Sequence, residues 1–103
     1  MSHIQIETTF HNLSDAKKII DILLDKKLIA CGQCFLIDSV YSWQNKIENE
    51  KEILVKLKTK KELYGVCQKV IKENHKYKVP QIIYYTISGD KDYLSWIDEV
   101  TAP

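Results

Sequence analysis

The stretch from Ala30 to Thr59 constrains the fold more than any other part of the chain. Its first half, ACGQCFLIDSVYSW, places Cys31, Phe35, Ile37, Tyr41 and Trp43 at alternate positions on one face. Its second half, from about Ile47 to Thr59, puts Ile53, Val55 and Leu57 on one face and Lys56 and Lys58 on the other. Alternation of period two marks strands covered on one side. The polar Gln44-Asn45-Lys46 between them suits a tight antiparallel connection, because Asn tolerates a left-handed backbone. A strand of about 13 residues reaches about 43 Å. A compact domain of 103 residues is only about 34 Å across, from a radius of gyration near 13 Å. The tip, with Tyr41, Trp43 and Ile47, therefore outruns its own globule and presents unpaired strand edges, which proteins in water avoid. A second copy of the same chain is the economical cover, and an oligomer is expected.

Before and after this hairpin the pattern is regular. Ile4–Phe10 alternates like a strand, and Asn12 or Ser14 can cap a helix whose apolar side is Ile19, Ile20, Leu23, Leu24 and Leu28. Lys26 and Lys27 suit its C-terminal end. Thr59-Lys60-Lys61-Glu62 has capping-box spacing, and Leu63, Val66, Cys67, Val70 and Ile71 form a second helical stripe. Asn74-His75 ends it and Pro80 prevents continuation. Gln81–Ile87 is an apolar, β-branched and aromatic strand. Asp90 can cap a last helix that buries Tyr93, Trp96, Ile97 and Val100. The order β-α-β-β-α-β plus a terminal helix specifies an α+β, ferredoxin-like sandwich: helices on one face of an antiparallel sheet, with a long hairpin between its second and third strands. Residues 1–103 read as a single domain, with no linker or repeat.

Composition narrows the function. Lys and Arg number 15 against 14 Asp and Glu, and this near balance excludes a general nucleic-acid binder. No apolar run is long enough to cross a bilayer as a helix, and Met1-Ser2-His3 does not begin a signal peptide. Both point to the cytoplasm. Three cysteines, an odd number, do not form a secreted disulfide framework.

Cys31-Gly32-Gln33-Cys34 has the CxxC spacing of a redox pair, but it follows a helix and opens a strand. Residues three apart on a strand point to opposite faces, so the sulfurs diverge and the cysteines read as structural. A zinc site from Cys31, Cys34, Cys67 and His75 lacks finger spacing, and Cys67 sits in an apolar stripe. His75, in the loop NHKYKVP with Lys76, Tyr77 and Lys78, is better placed for function, although a histidine closing a helix also suits the dipole there. His3 and His11 have no patterned partner and are expected to be solvated. Glu48, Glu50 and Glu52 share one strand face and read as a solvated edge. No Ser/His/Asp set, paired-carboxylate site or glycine-rich phosphate loop is present.

Thr8-Thr9, LIAC at Leu28–Cys31, SVYSW at Ser39–Trp43, Lys46, LKT at Leu57–Thr59, HKYKVP at His75–Pro80 and DYLSWI at Asp92–Ile97 resemble, in this order and spacing, the CutA family of divalent-cation tolerance proteins. The resemblance covers essentially the whole chain. It implies a compact homotrimer of ferredoxin-like subunits, similar in architecture to PII signalling proteins, with a link to copper tolerance and divalent-metal binding and no defining enzyme reaction. The chain departs from the family pattern at Lys76, where Pro is usual, at Asn45 for Gly and at Gln81 for Glu. Thr8 stands where some relatives have Cys, which weakens a thiolate site for copper.

The expected function is thus a non-enzymatic trimer that binds a divalent cation, copper foremost, with His75 as first ligand and Cys31 as second. The alternative is a PII-like module holding a small anionic metabolite in clefts between subunits, walled by Lys46, Lys58, His75 and Tyr77. A scaffold without any ligand is the third reading.

Overall fold

The computed structural model describes residues 2–103. Four strands, β1 (His3–Phe10), β2 (Cys31–Trp43), β3 (Lys46–Lys60) and β4 (Ile82–Ile87), form one antiparallel sheet in the order β2-β3-β1-β4. Helices α1 (Leu13–Asp25) and α2 (Tyr64–Glu73) follow β1 and β3, and α3 (Lys91–Val100) ends the chain. This is the expected ferredoxin-like order.

Local chemistry explains the helix ends. Asn12 caps α1, its Oδ1 accepting from the Asp15 amide at 2.8 Å. At the other end Lys27 takes φ 57°. The amides of Leu28 and Lys27 bond back to the carbonyls of Leu23 and Leu24 at 2.9 and 3.0 Å, satisfying the last turn. Asp90 caps α3 as expected, its Oδ2 accepting from the Asp92 and Tyr93 amides. The capping box at Thr59 does not form. Thr59 is still in β3, opposite Ile4, and its hydroxyl donates to the Leu28 carbonyl at 2.7 Å. A 3-10 turn at Lys61–Leu63 intervenes before α2.

The hairpin turn is shorter by one residue than the expected loop. Only Gln44 and Asn45 lie outside the strands, both with positive φ (49° and 63°), and Trp43 pairs directly with Lys46. Positive φ at both central residues makes a turn whose twist matches the strands. The single-residue difference matters, because one step of register exchanges the faces of a strand. With this register Phe35 pairs with Leu54 and Ile37 with Glu52. The apolar stripe Cys31, Phe35, Ile37, Tyr41, Trp43 therefore lies on the face opposite Ile53, Val55 and Leu57.

The Ile53 face carries the core. Ile4, Ile6, Val55, Leu57, Ile19, Leu23, Cys67 and Ile71 are fully or almost fully buried between sheet, α1 and α2. Gly32 sits beneath α1 because a Cβ there would come within 2.7–2.9 Å of the Ile20 side chain. The other face is covered only in part, by α3, and so the helices do not all share one side. His3 Nε2 donates to Asp98 at 2.9 Å, and Lys60 Nζ donates to the Ala102 carbonyl at 2.6 Å. His3 is buried by this arrangement rather than solvated. Of the apolar residues of α3 only Ile97 is buried, while Tyr93, Trp96 and Val100 remain exposed. β4 is likewise an edge strand with Ile83, Tyr84 and Tyr85 exposed. The chain extends 44 Å along its longest axis against 24 and 21 Å across, and the hairpin accounts for that length.

Candidate functional site

β1 ends at Phe10, opposite Ile53. Beyond that point β3 continues from Glu52 back to Lys46 with only β2 beside it. The segment after α2 crosses this gap. Asn74 closes α2, its Nδ2 donating to the Val70 carbonyl at 2.8 Å. Residues 75–81 then run to β4 past the end of β1.

His75 pins that segment. Its ring stacks on Phe10 with centroids 4.3 Å apart and 13° between planes. Nε2 donates to the Thr9 carbonyl at 2.7 Å, and Nδ1 accepts from the Tyr77 amide at 3.1 Å. Both ring nitrogens are thus used, and the proton must sit on Nε2. Burial holds the ring below the usual histidine range; the Thr9 carbonyl, Glu52 and Asp15 pull the other way, and His11 adds to the lowering.

Tyr77 carries the segment across to the hairpin. Its hydroxyl donates to Glu52 Oε2 at 2.6 Å, with His11 Nδ1 3.3 Å away and the His11 ring edge-on at 4.4 Å. Glu52 is thereby covered: it is only 6% exposed. Burial, then the Glu52 bond, pushes the Tyr77 phenol far above its usual range, so it remains a donor. One step out, Tyr41 donates to Glu50 Oε1 at 2.6 Å, and its phenol is pushed up to about 12 chiefly by that bond.

Together these elements border a groove of about 670 Å³, walled by Asp38, Tyr41, Trp43, Glu48, Glu50, Glu52 and Tyr77, with Lys78 and Val79 opposite. Three carboxylates, Glu48, Glu50 and Glu52, share the ribbon face of Tyr41 and Trp43 that borders it. Among the lining residues only Lys78 and His11 bring or can bring positive charge, and Asp38 is paired with Lys51 at 2.8 Å on the opposite face of the ribbon. The groove therefore attracts cations and repels anions. Its oxygen donors suit hard or borderline cations. Among the described residues, however, no group of three or more His, Cys, Asp or Glu side chains is arranged to hold a metal ion.

The residues singled out from sequence do not converge within one chain. His75 offers no free nitrogen. Cys31 lies opposite Lys58, which pairs with Gln5, whereas His75 sits at Thr9; four residues along β1 separate the two levels by about 13 Å. Cys31 borders Tyr93 of α3 on the open face, and Cys34 packs against the core on the other, so the two thiols diverge as expected. Burial pushes the Cys67 thiol up to about 12; its Sγ donates to the Leu28 carbonyl at 3.3 Å, the role of a structural residue. Lys58 donates to Gln33 Oε1 at 2.5 Å at the base of the hairpin, while Lys46 lies at the tip, twelve positions and about 40 Å away. Tyr77 alone of the expected set lines the groove. Glu48, Glu50 and Glu52, expected to be a solvated edge, instead line the groove with Tyr41, and Glu52 is buried. Their signal was present in the sequence, since a two-residue turn sets Tyr41 opposite Glu48 and Ser39 opposite Glu50.

Fold and groove define a class: a ferredoxin-like α+β subunit whose central ribbon overshoots the domain and carries an acidic, tyrosine-bridged flank. Residues 4–100 match the family described as CutA1 divalent ion tolerance protein, and the chain belongs to that family. It is 38% identical over 97 residues to the divalent-cation tolerance protein CutA of Pyrococcus horikoshii, covering 93% of this chain and 95% of that one. Among solved structures, CutA1 from Oryza sativa superposes with a TM-score of 0.94 at 31% identity, over 99% of this chain and 95% of that chain. The protein from Archaeoglobus fulgidus, described as a periplasmic divalent cation tolerance protein, does so with a TM-score of 0.93 at 37% identity, over 95% and 97%. The family is named for tolerance to divalent ions and is not named as a family of enzymes.

Proposed function

We propose that this chain works without catalysis in divalent-cation tolerance, as a homotrimer in the cytoplasm that gathers divalent cations along the acidic flank of its hairpin. The observation that carries this reading is the row Glu48 and Glu50, on the same ribbon face as Glu52 and without an ion-pair partner among the described residues, in an open groove. Its relatives are described as divalent-cation tolerance proteins, which supports it. Because three donors do not converge among the described residues of one chain, the fit is to a hydrated ion held loosely, or to donors contributed by two copies. Without His75 and Cys31 in the set, a preference for copper rests on the general order of divalent affinities, in which copper(II) stands highest.

A trimer is supported by what the single chain leaves uncovered. Phe35, Leu36, Val40, Trp43 and Ile47 are all exposed, on both faces of the ribbon. Three unpaired thiols suit a reducing compartment. The metabolite reading needs Lys46, Lys58 and Tyr77 in one place, which only neighbouring copies can accomplish, and the groove's own charge disfavours an anion.

Titration calorimetry of copper(II), zinc(II) and manganese(II) tests the cation site. Glu48→Gln with Glu50→Gln should weaken binding about tenfold or more, equivalent to about 1.4 kcal/mol. Equal binding by the variant and the native chain would remove the groove as the site. Light scattering should give the mass of three chains; the mass of one would remove the trimer.

A further inference from the structure

Two hydrogen bonds of Tyr77 hold residues 76–80 over the groove, its amide on His75 Nδ1 and its hydroxyl on Glu52, with His11 Nδ1 3.3 Å from the same hydroxyl. Lys76 adds an exposed ion pair to Asp15 at 3.1 Å. Among the described residues this stretch makes no further backbone hydrogen bond to the rest of the fold. The first contact exists only while His75 is neutral. Nε2 is already committed as a donor to Thr9, so an added proton has one place to go, Nδ1. It would then face the Tyr77 amide donor to donor at 3.1 Å.

We propose that His75 is a pH-operated latch on the groove: protonation of Nδ1 in mildly acidic solution expels the Tyr77 amide and draws the Tyr77 hydroxyl away from Glu52. Glu52 would then be exposed to the groove as a further carboxylate, and the wall formed by Tyr77 would swing outward. Each step is a single proton or hydrogen-bond exchange, and none needs a bound ion. The inference therefore stands apart from the cation reading.

The groups around the ring decide where the switch lies. Asp15 on α1, Glu52 on β3 and the Thr9 carbonyl favour the imidazolium; His11, after β1, opposes it when charged, as does burial against Phe10. On its own segment, Lys76 is neutralised by Asp15, and Tyr77 stays protonated. Burial is the largest of these influences, which sets the latch on the acid side of the ordinary histidine range.

The test is an NMR titration of the full chain between about pH 5 and 8. At the upper end His75 should show the Nε2–H tautomer. The Tyr77 amide and the Glu52 carboxyl carbon should then move together at the midpoint of His75, below about 6.5. His75→Gln should abolish that shared step while keeping a donor for the Thr9 carbonyl, and His11→Gln should retain it. A Tyr77 amide that stays flat through the His75 midpoint overturns the proposal. So does a step that persists in His75→Gln or disappears in His11→Gln. Should His75→Gln not fold, the coincidence of midpoints in the native chain and the His11→Gln result still decide.

Discussion

The two halves of β3 obey different rules although their sequences alternate alike. From Ile53 to Lys58 the strand has β1 on one side, β2 on the other and helices over one face; Val55, Leu57 and, one step beyond, Thr59 are completely buried. From Lys46 to Lys51 it has only β2, and Ile47 is 74% exposed. Alternation reports that a strand has two unlike faces, and what lies across each face decides which is buried. The inner half thus serves the stability of the chain. The outer half serves whatever meets it from outside, with charge on one flank and apolar side chains on both faces.

That contrast is most sharply tested at Leu57. Leu57→Ala empties a site closed on all sides and should lower unfolding stability by about 2–5 kcal/mol in chemical denaturation at fixed protein concentration. A loss below about 1 kcal/mol would mean that the inner half is no better packed than the outer. Gly32→Ala acts from the neighbouring strand. Its new Cβ meets three atoms of Ile20 within 3 Å, all belonging to a branched, buried side chain. The cost should be about 1–3 kcal/mol. Ile20→Val in the same chain should recover part of it, since the clash is with side chain and not with backbone.

These inner features are the part most readable in the sequence. The stripe of α1, the caps Asn12 and Asp90, and the order of elements all follow from local pattern, because each depends on residues within a few positions. The faces of the hairpin were less readable. Reading Gln44-Asn45-Lys46 as the loop places β2's aromatic stripe and β3's aliphatic one on the same side; the true two-residue turn separates them. A choice of one residue in the turn thus propagates along thirteen pairs. Glu52 was hidden for another reason. Nothing near it in the chain shows that Tyr77, twenty-five positions later, covers it. A histidine in a loop reads as a ligand in sequence, which does not show the Thr9 carbonyl and the Tyr77 amide that occupy both nitrogens of His75. Lastly, Thr59 satisfies the letter of a capping box but is drawn into the sheet, where its hydroxyl serves the Leu28 carbonyl.

At the boundary between the halves, Tyr77→Phe removes the one hydrogen bond to a carboxylate that is otherwise almost covered. Because the pair borders an open groove, the loss should be about 1.5 kcal/mol, the lower end for a bond to a charged group. Tyr41→Phe removes the equivalent bond from exposed Glu50 and should cost clearly less. Equal effects would mean that Glu52 is not distinguished by its cover. The pH dependence should be smaller again. The folded chain disfavours the charged form of His75, so the unfolded chain binds more protons in the window just below the ordinary value. The stability that neutral His75 contributes is fully present above about pH 6.5 and is lost as pH falls through the folded value. Denaturation midpoints for the native chain should decline in that window more steeply than for His75→Gln.

The smallest effect on the fold of one chain should come from Ile47→Ser, and it is the most informative about the outer half. Ile47 faces Ser42 across the ribbon near the tip, beyond the reach of the core, and its side chain is mostly in solvent within the single chain. A polar substitution there should change the intrinsic stability of the subunit by less than about 0.5 kcal/mol, as at other exposed positions. If copies of the chain cover one another along their ribbons, the same substitution acts a second time, on association. Mass by light scattering would then fall toward that of one chain on dilution, while circular dichroism still reports the same strands. Should mass and spectrum both stay at the native values, Ile47 lies outside any contact and the interface must be sought lower on the ribbon, at Phe35 or Leu36. Should the spectrum collapse together with the mass, the subunit does not hold its ribbon alone, and folding of the inner half is then inseparable from association of the outer half.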